Sequence, residues 1–98
     1  MATSQFLTEK DRLHALLLER SVRFGDFILA SGMRSSYYID ARLTTMSGQG
    51  QLLIGRIGLQ LLEDNQWSAQ ALGGLTLGAD PIAYAIAHAA VLQDRVLD

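Results

Sequence analysis

The feature that most constrains the fold is the stretch 72–81, which reads Leu-Gly-Gly-Leu-Thr-Leu-Gly-Ala-Asp-Pro. Its apolar start predicts a buried strand over residues 71–74, and its glycines predict a tight turn. Asp80 is a good helix N-cap and Pro81 suits the first helical position, so a helix should begin there. In open α/β folds, ligands bind in such turns at the carboxyl ends of strands. The stretch therefore predicts either an anion site or a tight strand-to-helix connection with no ligand.

The spacing of this glycine-rich turn narrows the kind of site it can form. No Gly-Lys-Ser/Thr follows the glycines and the G-x-G-x-x-G pattern is absent, so neither common nucleotide-binding motif is present. Backbone N–H groups exposed by the turn suit a phosphorylated or other anionic small molecule. Asp80 would repel such an anion unless a cation lies nearby.

The composition predicts a folded chain with a buried core. Hydrophobic residues make up 49% of the 98 residues and charged residues 18%, values typical of globular domains rather than disordered chains. The net charge is −2 and no basic run occurs, which argues against nucleic-acid binding by bulk electrostatics. The length suits one small domain or part of a larger one.

The sequence also bears on the cellular compartment. Cysteine is absent, which excludes disulfides and cysteine-based zinc sites and fits a cytoplasmic protein. Residues 1–5 lack the basic-then-apolar pattern of a signal peptide. The longest apolar stretches are broken by Gly, Arg or Asp, so we expect no membrane span.

Local patterns predict the order helix, hairpin, helix, strand and helix. Thr8 and Asp11 form a Thr-x-x-Asp start close to a capping box, and Gly25 should end the helix that begins there. Gly55 and Gly58 lie inside the second helix, where we expect close packing against a neighbouring strand. The predicted bounds are 8–22 for the first helix, 26–30 and 36–43 for the hairpin strands, 48–64 for the second helix and 80–92 for the third.

The third predicted helix is apolar almost all round. Such a helix is normally buried on more than one side, and the chain has few residues left to cover it. Val96 and Leu97 follow with no obvious partner. A parallel sheet also needs more strands than the one predicted at 71–74. We therefore expect the chain to be a fragment, a proteolytic product or half of an assembly.

Three segments carry a resemblance to a known family. They are Phe-Gly-Asp-Phe-Ile-Leu-Ala-Ser-Gly at 24–32, Ser-Tyr-Tyr-Ile-Asp-Ala-Arg at 36–42, and the glycine-rich stretch at 73–81. Together they resemble the orotate phosphoribosyltransferases of the type I phosphoribosyltransferase family. The resemblance implies an α/β fold, with an N-terminal helix and hairpin hood over residues 1–46. The first strand, loop and helix of an incomplete parallel-sheet core would then follow over residues 47–98.

The resemblance implies that the hairpin covers the active site and contacts orotate through Ser31, Gly32, Tyr38 and Ile39. A flat anionic pyrimidine suits an aromatic or apolar face together with backbone hydrogen bonds. Tyr37 is expected to pack within the protein instead.

The resemblance also implies that the glycine-rich loop binds the pyrophosphate of phosphoribosyl pyrophosphate (PRPP). The backbone N–H groups of Thr76, Leu77, Gly78 and Ala79 would hold it. Mg²⁺ bound to the diphosphate would neutralise charge on the leaving group. Asp80 would either act on a metal-bound water or cap the helix, and no residue of the chain is expected to ligate a metal directly.

The activity implied is transfer of phosphoribosyl from PRPP to orotate, giving orotidine monophosphate and pyrophosphate in pyrimidine biosynthesis. Members of the family usually work as homodimers. This chain departs from many members, which have one lysine where Ala30 stands and another in the pyrophosphate loop, where Gly78 or its neighbours stand here. Arg34 and Arg42 are the nearest candidates for replacement charge, although we expect each to be a solvated surface arginine.

In the family, a flexible basic catalytic loop and a strand with two adjacent acidic residues that holds the ribose come later in the chain, and this sequence contains neither element. We therefore assign no catalytic residue and expect the chain alone to be inactive. The alternative is a non-catalytic fragment that binds a pyrimidine or pairs with a full-length enzyme as a regulator.

Overall fold

The computed structural model describes residues 8–97, which form four helices and one antiparallel hairpin. Residues 1–5, considered above for a signal peptide, lie outside the described residues. In chain order the elements are α1 (Glu9–Arg20), β1 (Val22–Ile28), β2 (Arg34–Ile39), α2 (Arg42–Thr45), α3 (Gly48–Asp64) and α4 (Asp80–Val91). Within the described range, no helix has both the length and the apolar character needed to cross a membrane.

Helix α1 begins at a complete capping box, as the sequence predicts. The Asp11 N–H donates to Thr8 Oγ1 at 3.1 Å, and the Thr8 N–H donates to Asp11 Oδ2 at 3.2 Å. The helix ends at Arg20, earlier than predicted, because Val22 already belongs to β1. Gly25 lies inside β1, so the prediction that it ends the helix is wrong.

The hairpin begins earlier than predicted, and its second strand is shorter. Phe24 pairs with Tyr37, and the register shifts between Phe24 and Phe27. A shift of this kind bends a strand and increases its twist. Residues 40–43, predicted to continue β2, instead turn away into α2, a one-turn helix that the sequence pattern does not indicate.

Helices α3 and α4 approach each other closely through glycines. A β-carbon at Gly55 would clash with the Ala85 carbonyl group, and one at Gly58 would clash with the Ile86 side chain. Close packing at both glycines is thus confirmed. The neighbour is a helix, however, and not the predicted strand.

A cluster of buried apolar residues packs α3 and the residues after α4 against α4. Leu59, Ala90 and Leu97 form it, so Leu97 has a partner that the sequence did not reveal. Tyr84 and Leu92, elsewhere on α4, are 68% and 72% exposed. Ala83, Ala85 and Ala90 of the same helix are buried. Because Ala85 lies nearly opposite Ala83 and Ala90 by helical spacing, α4 is buried on more than one side, as predicted, while the face that carries Tyr84 stays open.

The strand predicted at 71–74 does not form. Residues 71–75 belong to no helix or strand, and they are exposed apart from the half-buried Leu72. A parallel strand needs neighbouring strands for its hydrogen bonds, and the described part of the chain holds only the two strands of the hairpin. What precedes α4 is therefore a loop.

Candidate functional site

The loop that precedes α4 is a tight turn closed by its own backbone. The Ala79 and Asp80 N–H groups both donate to the Leu75 carbonyl, at 2.9 and 3.0 Å. Ala79 occupies the N-cap position of α4, and no side chain caps the helix. The prediction that Asp80 is the N-cap is wrong, because Asp80 is already the first helical residue and Pro81 the second.

Glycine is required at the base of this loop. A β-carbon at Gly74 would lie 2.6 Å from the Ala79 carbonyl carbon. At the tip, Leu77 has a φ of 65°, a left-handed conformation that costs a non-glycine residue about 1 kcal/mol. The N–H groups of Thr76, Leu77 and Gly78 donate to no backbone acceptor within residues 8–97. These three donors are therefore available to an anion, whereas the Ala79 N–H is used inside the loop.

One carboxylate oxygen beside the loop is buried without a donor. Asp80 Oδ1 is shielded from solvent and accepts no hydrogen bond from the described residues. A buried acceptor left unpaired is costly unless another group satisfies it. Asp80 therefore gives the first turn of α4 an oxygen atom able to take a donor or a cation.

The base of the hairpin and the glycine-rich loop border one cavity, which we call the junction cavity. Its volume is about 550 Å³. The end of α1, the link from β2 through α2 to α3, and the tip of the loop surround it. The lining residues are Arg20, Asp40, Arg42, Leu43, Met46, Ser47 and Leu77.

A second cavity, of about 420 Å³, adjoins the junction cavity, since Asp40 and Leu43 line both. Tyr38 borders this second cavity, and its ring centroid lies 5.8 Å from that of Phe27. Tyr38 therefore lies near the base of the hairpin, in a cavity that adjoins the one bordered by Leu77.

The other hairpin residues predicted to contact orotate lie elsewhere. Ser31 and Gly32 form the turn at the far end of the hairpin, where Gly32 has a φ of 86°. They line neither cavity, and neither does Ile39. The structure thus gathers Tyr38 and Leu77 near the hairpin base and leaves the hairpin turn apart from them.

An ion pair lines the junction cavity, and its carboxylate, Asp40, also borders the second cavity. Arg42 Nε donates to Asp40 Oδ1 at 3.2 Å, and so does the Arg42 backbone N–H. Hydrogen bonding from Arg42 lowers the pKa of Asp40, and the same pairing raises the pKa of Arg42. Both Arg34 and Arg42 are exposed, as predicted. Sequence reasoning missed Arg20, whose only signal was its place directly before the hairpin.

The described residues could provide Mg²⁺ with one carboxylate ligand, Asp80, and not with a complete coordination shell. No group of three acidic or histidine side chains that could hold a metal occurs in residues 8–97. Mg²⁺ commonly keeps several waters and uses one or two carboxylates together with substrate phosphates. Asp80 Oδ1 fits that pattern, because it is a carboxylate oxygen with no hydrogen-bond partner among the described residues.

Named proteins resemble this chain over nearly all of its length. A Nostoc protein named orotate phosphoribosyltransferase is 44% identical over 94 residues, which cover 96% of this chain and 44% of that protein. The resemblance to the orotate phosphoribosyltransferases is thus confirmed. The Aquifex aeolicus orotate phosphoribosyltransferase is 40% identical over 92 residues, which cover 91% of this chain and 49% of that protein. The chain thus spans about half the length of the curated relatives it matches.

Solved structures of orotate phosphoribosyltransferases share this fold. The Mycobacterium tuberculosis enzyme in complex with Fe(III) dicitrate matches with a TM-score of 0.77 and 41% identity, over 83% of this chain and 47% of that one. The same enzyme in complex with PRPP matches with a TM-score of 0.71 and 38% identity, over 83% of this chain and 46% of that one. The helices and hairpin match the N-terminal part of the phosphoribosyltransferase fold, as predicted. No protein-family model matches the chain.

Proposed function

We propose that the chain is the substrate-covering and pyrophosphate-binding part of an orotate phosphoribosyltransferase. The reaction transfers phosphoribosyl from PRPP to orotate and gives orotidine monophosphate and pyrophosphate, a step of pyrimidine biosynthesis. The observation that carries the proposal is the junction cavity, where the hairpin base meets a loop with three N–H groups that have no backbone acceptor within residues 8–97. The names of the relatives, and a mycobacterial relative in complex with PRPP, support it.

In this proposal the loop binds the pyrophosphate group. Thr76, Leu77 and Gly78 donate their N–H groups to its oxygens, at the start of a helix that favours negative charge. Ala79 contributes by closing the loop, since its N–H is bonded to Leu75. Asp80 faces the cation that accompanies the anion.

The hairpin binds orotate in this proposal. Tyr38 lays its ring against the flat pyrimidine, and Ile39 contacts orotate from the next position of β2. Ser31 and Gly32 close over the substrate from the turn. Residues 1–46 then form the hood, and residues 47–98 begin the phosphoribosyltransferase core.

Mg²⁺ arrives with PRPP, and when bound it supplies positive charge to the leaving diphosphate. Asp80 is the residue that would hold it, directly or through a water, because its buried Oδ1 has no other partner in the described residues. An Asp80→Asn variant keeps the size of the side chain and removes its charge. We expect that variant to weaken binding of PRPP with Mg²⁺ more than binding without Mg²⁺.

Titration calorimetry with PRPP and Mg²⁺ tests the proposed function on the 98-residue chain. We expect binding that inorganic pyrophosphate competes away, and no orotidine monophosphate from the chain alone. Co-expression with the part of the Nostoc relative that lies beyond the matched region should restore product formation. Failure to bind PRPP, together with failure to restore activity, would reject the proposal.

We also propose that the assembled protein is a cytoplasmic homodimer with no nucleic-acid partner. The absence of cysteine, the net charge of −2 and the lack of basic runs support this proposal. Sedimentation of the protein from its source tests the homodimer and the absence of bound nucleic acid, and fractionation of the cells tests the cytoplasmic location.

A further inference from the structure

One side chain joins the hairpin base to the start of α4. The Gln51 carboxamide, near the beginning of α3, donates to the Thr45 carbonyl and to the Pro81 carbonyl, the latter at 2.9 Å. Thr45 ends α2, which closely follows the hairpin, and Pro81 lies in the first turn of α4, directly after the loop. Gln51 therefore spans the two segments that border the junction cavity.

In the described part of the chain, the bond from Gln51 to Pro81 is the one hydrogen bond between residues 8–67 and residues 68–97. The other hydrogen bonds of the second segment remain within it. Contact at Gly55 holds α3 beside α4, but apolar contact is not directional. A hydrogen bond has a preferred distance and angle, so Gln51 can fix where α4 starts relative to α2.

Close backbone approach sets the span that Gln51 bridges. A β-carbon at Gly50 would clash with the Thr44 carbonyl group, so α3 lies directly against α2. Ser21 Oγ and Thr44 Oγ1 are 2.6 Å apart and buried, which ties α2 to the start of the hairpin. A continuous path of contacts thus leads from the hairpin base through α2 and Gln51 to the loop.

Two buried polar atoms flank this bridge. Thr45 Oγ1 and Asp80 Oδ1 have no hydrogen-bond partner among residues 8–97. Loss of the Gln51 amide would remove a donor from the Thr45 and Pro81 carbonyls at a place that already lacks donors. Substitution of Gln51 should therefore disturb this junction first.

We infer that Gln51 is a positioning residue, which holds the glycine-rich loop at the hairpin base so that Leu77 borders the junction cavity. The consequence for ligand affinity rests on the proposed function, because that proposal assigns pyrophosphate to the loop. The position of the loop can be measured without any ligand.

A spin label at the junction cavity tests the position of the glycine-rich loop. The chain has no cysteine, so Met46→Cys introduces a single nitroxide site, which should broaden the amide resonances of Leu77 and Gly78. Gln51→Met keeps the size of the side chain, removes both donors and should reduce the broadening. Gln49→Met is the matched control, since Gln49 is exposed in the same helix, and it should leave the broadening unchanged.

Gln51→Lys separates hydrogen bonding from packing. The ammonium group can donate to both carbonyls, so this variant should keep the broadening that Gln51→Met loses. Equal broadening in Gln51→Met and Gln49→Met overturns the inference. A folded Gln51→Lys variant without broadening also overturns the inference. If Gln51→Met does not fold, the comparison of Gln51→Lys with the unaltered residue decides whether Gln51 positions the loop.

A titration with inorganic pyrophosphate tests the consequence for affinity. We expect Gln51→Met to raise the Kd by about tenfold, the size expected for a lost hydrogen bond at a buried site, and Gln49→Met to leave it unchanged. An equal Kd in the two variants, in a chain that binds pyrophosphate, overturns the effect on affinity. If the unaltered chain binds no pyrophosphate, the proposed function of the loop fails, while the spin-label result still decides the role of Gln51.

Discussion

Among single residues, Gly74 controls whether the loop before α4 can close. A β-carbon there would press on the Ala79 carbonyl, so Gly74→Ala should lower the free energy of unfolding by about 1–3 kcal/mol. Gly73 is the matched control, because its β-carbon would meet open space. Gly73→Ala should be neutral or raise that free energy by up to about 1 kcal/mol. Thermal unfolding of both variants checks this, and an equal loss in the two would contradict the close contact.

The ion pair between Asp40 and Arg42 makes the free energy of unfolding depend on pH. Hydrogen bonding from Arg42 lowers the pKa of Asp40 in the folded state. The contribution of Asp40 to stability is therefore fully present above the pKa that this carboxyl has in the unfolded chain. It is lost as the pH falls through the lowered pKa of Asp40 in the folded state. Arg42→Ala should return the pKa of Asp40 towards 3.8, and Arg34→Ala should not. An NMR titration of the Asp40 carboxyl carbon measures both, and an unchanged pKa in Arg42→Ala would show that the pair does not form.

The sequence identifies the residues of the loop but not their neighbours. The glycines and Asp80 stand in one local pattern, from which a turn and a helix start can be predicted. Leu77 meets Arg20 and Asp40 at the junction cavity, although both lie far away along the chain. Such contacts depend on how α1, α2 and α3 pack, and no local pattern encodes that. The buried state of Asp80 Oδ1 escaped prediction for the same reason.

At the scale of elements, prediction succeeded where a helix is defined by its own sequence. Helix α3 has the predicted bounds, and α1 begins at its predicted capping box. Helix α2 is too short for a periodic pattern, and it depends on distant contacts such as the bond from Thr44 to Ser21. The strand predicted at 71–74 needs neighbouring strands, which residues 8–97 do not supply.

The capping box makes α1 testable as an element. Thr8→Ala removes the side-chain acceptor for the Asp11 N–H, so it should lower the free energy of unfolding by about 1 kcal/mol. Amide exchange should quicken most in the first turn of α1. Thr76→Ala is the control, because Thr76 is exposed in the loop. Chemical denaturation and amide exchange measure both effects, and no difference between the variants would mean that the cap contributes nothing.

At the scale of the whole molecule, the outer face of α4 has no cover in the described part of the chain. Tyr84, Val91 and Leu92 lie on one face of the helix by their spacing, and each is more than half exposed. An apolar face of this kind favours association in water. The curated relatives that the chain matches are about twice its length.

The exposed face of α4 should therefore make the chain self-associate reversibly. Leu92→Gln removes apolar surface from that face and should shift sedimentation towards the monomer, because less area is withdrawn from water on association. Leu18→Gln makes the same kind of change on α1, where Leu18 is 47% exposed, and should have a smaller effect. Adding the part of the Nostoc relative beyond the matched region should suppress self-association by covering α4. If Leu18→Gln and Leu92→Gln act equally, the association does not depend on α4, and some other surface drives it.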